Sequence, residues 1–199
     1  MKKLISICMI LCVILACTVS AAAASHTVVK GDTMWKIAAK YQVGTAEIIA
    51  ANPQIANPNL IYPGQILTVP EVDAQVAAFE QEVIRLVNEI RARNGLKALT
   101  ANWELCRVAR FKSQDMVDNR YFSHTSPTYG SPFQMIRDFG ISFRTAGENI
   151  AYGQRSPQAV VDAWMGSAGH RANILNASYT QIGVGYVASG NYWTQMFIG

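Results

Sequence analysis

Only one of the four cysteines in this chain lies in the part that is expected to fold. Cys8, Cys12 and Cys17 fall in the N-terminal segment, and Cys106 stands alone in the remaining sequence. A single thiol forms no internal disulfide, so the fold must be held together by core packing. Half of the 199 residues are hydrophobic, which is sufficient for a core. Cys106 lies in a helical pattern and is expected to be a small buried apolar residue without a catalytic role.

The N-terminal segment has the three parts of an export signal. A positive end is followed by an uncharged apolar run over residues 4–19 and then by four alanines. The run is shorter than the roughly 20 residues that a membrane-spanning helix needs, and the alanines fit a small-residue cleavage pattern. Residues 1–24 are therefore predicted to be a signal peptide that is cleaved near Ala24. The alternatives are retention as a membrane anchor and lipidation at Cys17.

The charge balance gives little support to a nucleic-acid partner. The formal net charge is +4, and it falls to +2 when Lys2 and Lys3 leave with the signal peptide. No block of basic residues remains in the rest of the sequence, whereas nucleic-acid binding needs a basic patch.

The patterns in residues 26–70 predict a small domain in the order strand, helix, helix, strand. β-type runs begin and end the segment. Between them, Asp32 or Thr33 can cap a first helix. A second helix is expected from about Thr45 and should stop before Pro53, because proline disfavours helical geometry in the residue that precedes it.

Three motifs in this segment stand in an informative order and spacing. They are Val28-Val29-Lys30-Gly31-Asp32-Thr33-Met34-Trp35-Lys36-Ile37-Ala38, Ala51-Asn52-Pro53 and Ile61-Tyr62-Pro63-Gly64-Gln65. Together they resemble a LysM domain, and the resemblance covers all of residues 26–70. The stretch at 50–64 is most similar to LysM modules of spore-coat assembly proteins from spore-forming Gram-positive bacteria.

The resemblance implies that this domain binds glycans that contain N-acetylglucosamine, in a shallow groove between two loops. The residues implied in glycan binding are Gly31, Asp32, Thr33, Met34, Asn59, Leu60 and Ile61. Gly-rich turns expose the backbone groups that an N-acetyl amide can bond, and small apolar contacts suit its methyl group. The alternative is that Gly31, Asp32 and Thr33 only turn the chain and cap the helix that follows.

A second, larger domain follows a short link at residues 71–77. The link has no Gly or Ser tract, which predicts that the two domains are held close together. From about Ala78 an amphipathic helix opens the second domain. Two later helices are predicted to begin at Ser131-Pro132 and Ser156-Pro157, because serine caps a helix and proline fits its first turn. The chain ends in two alternating strands, so helices around a largely antiparallel sheet predict an α+β domain.

Five ordered motifs extend across this second domain. They are Tyr121-Phe122-Ser123-His124, Ala146-Gly147-Glu148-Asn149-Ile150-Ala151, Trp164-Met165-Gly166-Ser167-Ala168-Gly169-His170-Arg171-Ala172-Asn173-Ile174-Leu175, Ile182-Gly183-Val184-Gly185 and Tyr192-Trp193-Thr194-Gln195. With them, residues 78–199 resemble a bacterial CAP domain, the fold shared by cysteine-rich secretory proteins, antigen 5 and pathogenesis-related 1 proteins. The resemblance implies an α/β/α sandwich.

Animal and plant members of that family gather two histidines and two acidic residues in a cleft. The resemblance places His124 and Glu148 at one position of each kind. Tyr192 stands where the second histidine would be, and Ser167 stands where the other glutamate would be, so the full set of four is absent. His170 could bring another imidazole to the same CAP cleft.

His124, Glu148 and His170 are of the residue types that bind a divalent metal such as zinc or hold a histidine for acid–base work. The alternative is plain hydrogen bonding, with His170 capping a helix and Glu148 bound to backbone N–H groups. No cofactor is certain from the sequence. The sequence has neither a Gly-x-Ser-x-Gly elbow nor a His-Glu-x-x-His motif. Because a fold does not by itself carry an activity, structural or binding use is favoured over catalysis.

The sequence therefore supports two functions of different kinds. The first is a secreted, non-enzymatic envelope protein in the cell wall or spore envelope of a Gram-positive bacterium. Its LysM domain would bind peptidoglycan and target the CAP domain to the wall. The alternative is a wall or envelope hydrolase that uses the CAP cleft. The ligand of that cleft does not follow from the sequence.

Overall fold

Three clusters of buried hydrophobic side chains organise the described residues, one in the first predicted domain and two in the second. The computed structural model describes residues 23–199. The predicted signal peptide therefore lies outside the described residues as far as position 22, and so does Cys17. None of the helices within residues 23–199 has the length and apolar character of a membrane span.

The first domain has the predicted βααβ order. Its elements are β1 (Ala23–Thr27), α1 (Met34–Tyr41), α2 (Thr45–Ala51) and β2 (Ile66–Pro70). β1 and β2 pair as an antiparallel two-stranded sheet in which Thr27 lies opposite Ile66. The helices cover this sheet and bury Ile37, Ile48 and Leu67 in a common core.

Side chains at the helix ends explain where the helices of this domain start and stop. Thr33 caps α1 by accepting a hydrogen bond of 3.2 Å from the backbone N–H of Lys36. Asn52 lies just beyond α2, and its side-chain amide donates to the carbonyls of Ile48 and Thr68, at 2.7 Å each. Its Oδ1 accepts from the Thr68 N–H at 2.8 Å. Asn52 therefore ends α2 and ties it to β2, which gives the Asn52-Pro53 motif a structural role.

The second domain is a mixed α/β unit. Its elements are α3 (Ala74–Arg93), β3 (Thr100–Ala101), α4 (Trp103–Asp118), α5 (Pro132–Asp138), β4 (Ala146–Tyr152), α6 (Pro157–Gly166), α7 (Ala168–Ile174), β5 (Gln181–Val187) and β6 (Tyr192–Ile198). The strand order in the sheet is β3-β5-β6-β4. Both β5 and β4 pair antiparallel to β6, and only the two-residue β3 runs parallel to its neighbour. The largely antiparallel sheet is as predicted.

Helices cover both faces of this sheet. α4 and α5 pack on one face, around Leu105, Met135 and Met196. α3, α6 and α7 pack on the other face, where Trp164 and Trp193 are buried. These three layers are the α/β/α sandwich that the CAP resemblance implies.

The first helix of the second domain begins earlier than expected. α3 starts at Ala74, inside the segment 71–77 that the sequence analysis assigned to a link. The reason is local: the Asp73 carboxylate accepts hydrogen bonds from the N–H groups of Gln75 and Val76, at 2.9 and 3.1 Å. An acidic N-cap of this kind starts a helix. The connection between the domains is therefore shorter than predicted.

Two glycines of β5 let α4 lie directly on the sheet. A Cβ atom at Gly183 would come within 2.3 Å of the Leu105 backbone, and one at Gly185 would come within 2.2 Å of the Ala109 backbone. Any side chain at these positions would push the helix away. The Ile182-Gly183-Val184-Gly185 motif is thus a packing motif between strand and helix.

Cys106, the one cysteine within residues 23–199, belongs to this helix–sheet contact. Cys106 is buried on α4. Burial raises the pKa of its thiol to about 11. A thiol that holds its proton this tightly is a poor nucleophile, so the expectation of a small buried residue is confirmed.

Candidate functional site

The antiparallel pairing of β1 and β2 brings the two predicted glycan-binding loops to the same end of the first domain. The chain leaves β1 at Thr27 and enters β2 opposite, at Ile66. Beyond the strands, the N–H of Gly64 donates to the carbonyl of Val28 at 2.9 Å, which holds the two loops side by side. The geometry is therefore compatible with a shared groove.

In the first loop, Gly31 and Thr33 are exposed, Asp32 is partly buried and Met34 is buried. The Asp32 carboxylate accepts hydrogen bonds from the Val29 N–H and from Nε2 of His26, both at 2.9 Å. These two bonds lower the pKa of Asp32. Asp32 braces the turn, while Thr33 is the residue that caps α1. The side chain of Met34 is buried in the core, so a contact of this residue with a glycan would have to come from its backbone.

The second loop presents more accessible groups. Asn59 is exposed and Leu60 is 52% exposed, while Ile61 is partly buried against the core. Nearby, Tyr62 and Trp35 are also exposed, and the sequence analysis did not include either among the glycan-binding residues. The sequence feature that could have identified these two residues is an aromatic residue close to each Gly-containing turn.

In the second domain, His124 and Glu148 form a direct pair. Nδ1 of His124 lies 2.7 Å from Oε1 of Glu148. The carboxylate is buried, with 1% of the side chain exposed, whereas 53% of the imidazole is exposed. Within the part of the chain that the structure describes, Oε2 of Glu148 is buried without a hydrogen-bond donor. Because Nδ1 is engaged, Nε2 is the nitrogen that a cleft ligand could bond.

The pair shifts the pKa of both partners. The hydrogen bond to Glu148 raises the pKa of His124, although partial burial acts in the opposite direction. Burial raises the pKa of Glu148, although the hydrogen bond with His124 and the positive charge of Lys112 act in the opposite direction. Buried carboxylates and carboxylate-bound imidazoles behave in this way.

A network of buried polar groups on α4 holds the loop that carries His124. Asp115 accepts hydrogen bonds from the side chains of Ser126 and Thr128, at 2.7 and 2.6 Å, and from the Tyr121 hydroxyl. Burial by itself would raise the pKa of Asp115, but the hydrogen bonds outweigh burial and lower it. The carboxylate is therefore held charged at one fixed place beside the loop.

Lys112 connects this network to the His124 loop itself. Its ammonium group is fully buried and donates to the Tyr121 hydroxyl at 2.9 Å and to the Ser123 carbonyl at 2.8 Å. Burial lowers the pKa of Lys112. The sequence analysis missed Lys112 and Asp115. The sequence feature that could have identified them is a pair of charged residues, three positions apart, on the otherwise apolar face of α4.

His170 lies on α7, in a different environment from His124. It lines a small cavity of about 250 Å³ together with Phe122, Tyr152 and Ser167. His124 and Glu148 do not contribute to this lining. Burial and the nearby charge of His124 lower the pKa of His170. The structure joins His124 and Glu148 directly and places His170 close enough for the charge of His124 to act on it. That all three side chains serve one cleft stays a prediction.

A metal site does not fit this arrangement. Within residues 23–199, the structure contains no group of three His, Cys, Asp or Glu side chains that could hold a metal ion. His124, Glu148 and His170, which the sequence analysis considered as zinc ligands, do not form such a group.

Tyr192 belongs to an exposed aromatic cluster at the edge of the cleft. Its ring stacks on Tyr152 with the centroids 5.7 Å apart, and Phe122 packs against both rings. Where the resemblance implies a second histidine, this chain thus presents an aromatic rim. Such a rim suits binding of a ligand with an apolar face.

Amide side chains fix the strand that carries Glu148. Asn173 of α7 donates to the Glu148 carbonyl at 3.1 Å and to Oδ1 of Asn149 at 2.8 Å. Asn149 in turn donates to Oε1 of Gln195 at 2.9 Å and to the His170 carbonyl at 3.1 Å. This network explains why amides recur in three of the five CAP-type motifs.

The matches to family models agree with the two domains. Residues 84–197 match the model of the cysteine-rich secretory protein family, also called CAP. Residues 26–70 match the model of the LysM domain.

Individual proteins show similarity to one or both parts. The protein YkwD of Bacillus subtilis (strain 168) is 52% identical over 155 residues, which cover 78% of this chain and 60% of YkwD. The spore coat assembly protein ExsA of Bacillus cereus is 51% identical over 45 residues, which cover 23% of this chain and 7% of ExsA. The chain therefore spans less than two thirds of either relative.

A solved structure shows the same fold. An extracellular protein of Bacillus anthracis str. Ames that contains an SCP domain superposes with a TM-score of 0.60 at 35% identity. The superposition covers 68% of this chain and 47% of that protein. The family model matches more than half of the residues of this chain. The chain therefore belongs to the cysteine-rich secretory protein (CAP) family and carries a LysM domain ahead of its CAP domain.

Proposed function

We propose that this protein is a secreted, peptidoglycan-binding protein of the cell wall or spore envelope, in which the LysM domain targets the CAP domain to the wall. The observation that carries the proposal is the pair of loops that the βααβ fold holds at one end of the LysM domain. Gly31 and Asn59 are exposed there and carry polar groups, and Leu60 supplies an exposed apolar contact. An N-acetyl sugar needs both kinds of group.

The similarity to the spore coat assembly protein ExsA supports a spore envelope as one location. That similarity extends over 45 residues, which is the length of the LysM match. We therefore use it as support for targeting and not for a role of the CAP domain. The B. anthracis relative is described as extracellular, which agrees with the predicted signal peptide. The CAP domain would then act on whatever its cleft binds at the wall.

Cosedimentation with purified peptidoglycan sacculi tests the proposal. The mature chain is expected to sediment with sacculi, and Leu60→Ser is expected to weaken binding about tenfold, the equivalent of about 1.4 kcal/mol. Ile49→Ser is the matched control, because Ile49 is an exposed apolar residue of α2 in the same domain, outside both loops. Equal binding of wild type and Leu60→Ser would contradict the proposal.

One observation favours the alternative function, a wall hydrolase that uses the CAP cleft. The pairing of an exposed imidazole with a buried carboxylate is also found where a histidine serves as a general base. The same sacculi test it: soluble fragments that are released by wild type and not by His124→Ala would indicate hydrolysis. We favour binding, since Tyr192 and Ser167 stand where the resemblance to animal and plant members would place a second histidine and a second glutamate.

A further inference from the structure

A groove separates the LysM domain from the CAP domain, and none of the sites described above includes it. Its volume is about 650 Å³. Trp35 and Ala39 of α1 line one wall. Trp103 and Glu104 of α4, with Asp138 of α5, line the other wall.

The domains are fixed to each other beside this groove. The Arg107 guanidinium makes two hydrogen bonds to the Glu47 carboxylate, one of them from Nη2 to Oε2 at 2.9 Å. The same guanidinium lies over the rings of Phe111 and Phe139, with distances of 5.3 and 5.1 Å to their centroids. A guanidinium is planar, so a bidentate ion pair together with stacking on aromatic rings allows it one preferred orientation. The contact therefore sets the position of one wall relative to the other.

Gly44 shows how closely the two domains approach. A Cβ atom at this position would lie 1.9 Å from Oε2 of Glu47 and 2.3 Å from Nη2 of Arg107. A side chain at this position would force the ends of Glu47 and Arg107 to move. The groove is thus bordered by a packed contact and does not depend on the short link alone.

The lining has the chemistry of a carbohydrate site. Trp35 is 69% exposed, although an indole of this size is usually mostly buried. Indole faces offer apolar area with little conformational entropy to lose, which suits the C–H faces of sugar rings. Glu104 and Asp138 provide acceptors for hydroxyl and amide hydrogens. The carboxylates would repel a phosphate backbone, so a neutral, hydroxyl-rich polymer fits better than a nucleic acid.

The groove also continues directly from the LysM loops. Trp35 is the second residue of α1 and immediately follows the loop at 31–34. Ala39 lies about one helical turn further along the same wall. A polymer that leaves the loops across Trp35 therefore enters the space in front of Trp103.

We propose that the interdomain groove is a second stretch of the glycan site. An N-acetylated glycan strand held by the LysM loops continues past Trp35 to Trp103, so both domains contact one strand. This inference rests on the proposed function, because it takes the strand in the LysM loops as its starting point.

Calorimetric titration of the mature chain with chito-oligosaccharides of four and eight sugars tests the inference. The longer oligomer is expected to bind wild type at least tenfold more tightly than the shorter one. Trp103→Ala should lose this gain and bind the tetramer as wild type does. Trp103→Phe should keep most of the gain. Trp35→Ala, an exposed position where folding is not at risk, should lose it as well.

Each result distinguishes the two proposals. If wild type binds neither oligomer, the proposed function and this inference both fail. If wild type binds both and neither Trp103→Ala nor Trp35→Ala changes the gain, only this inference is overturned. If Trp103→Ala keeps the gain but loses affinity for a synthetic peptidoglycan stem peptide, the groove belongs to a peptide, and the glycan assignment is also overturned.

Discussion

Nδ1 of His124 lies 2.7 Å from Oε1 of Glu148, and this contact joins a half-exposed ring to a buried carboxylate. The ring belongs to a loop without regular structure, whereas the carboxylate belongs to β4. The loop can hold its histidine in one place because Lys112 and Asp115 bind it from the buried side of α4. Buried side chains of α4 and β4 therefore fix the position of the exposed imidazole in the CAP cleft.

The two histidines of the CAP domain should titrate on opposite sides of the usual imidazole pKa of about 6.5. The hydrogen bond to Glu148 raises the pKa of His124, whereas burial lowers the pKa of His170. NMR titration of the ring protons measures both. Glu148→Gln should shift only the His124 midpoint strongly, and downward. Equal midpoints in wild type would contradict the pairing.

His124 should make stability depend on pH in a defined direction. Its pKa is higher in the folded than in the unfolded chain, so its contribution is fully present below the unfolded pKa. That contribution is lost as the pH rises through the raised folded pKa. The difference in melting temperature between wild type and His124→Gln is therefore expected to shrink from pH 5.5 toward pH 8, a range chosen to bracket about 6.5. The effect should be small because the ring is half exposed.

Asp115→Ala should destabilise the CAP domain through the His124 loop. The substitution removes the acceptor of the hydrogen bonds from Ser126 and Thr128. Leaving such donors unsatisfied in a buried place is expected to lower the free energy of unfolding by about 2–3 kcal/mol, measured by urea denaturation. Asp118→Ala, on the exposed side of the same helix, should change it by no more than about 0.5 kcal/mol. Similar losses for both variants would count against the network.

Gly183→Ala should be strongly destabilising, and Gly169→Ala should not. A methyl group at Gly183 would overlap the backbone of α4 at Leu105, which cannot move without the helix. Overpacking of this kind costs about 3 kcal/mol or more. At Gly169, in α7, the added methyl meets nothing within 4 Å, and alanine favours helix by up to about 1 kcal/mol. Thermal unfolding of both variants checks this contrast.

Export is predicted to leave a mature chain that begins near Ser25 without a lipid. Cleavage there would remove Ala23 and Ala24 from the edge of β1 but keep the pairs from Ser25–Thr68 to Thr27–Ile66. The LysM sheet would thus survive processing. Intact mass spectrometry of the secreted protein measures the N-terminus, and a diacylglyceryl adduct on Cys17 would contradict the prediction.

The sequence by itself determined the two domains and most of the helix starts. Thr33, Ser131 and Ser156 each cap a helix through the backbone N–H three residues later. A cap depends on neighbours in the chain, so it can be predicted without the fold. The early start of α3 at Ala74 was missed although Asp73 carried the same local signal.

The partners of the charged residues were decided only by the tertiary structure. α4 packs against the sheet in a way that directs the Lys112 ammonium and the Asp115 carboxylate to the His124 loop and away from solvent. That contact is the reason to consider both residues as part of the site. Glu47 and Arg107 meet across a domain boundary, 60 residues apart. His124 meets Glu148 across 24 residues of sequence. A side chain's partner depends on how distant elements pack, and local patterns in a sequence carry little information about that packing.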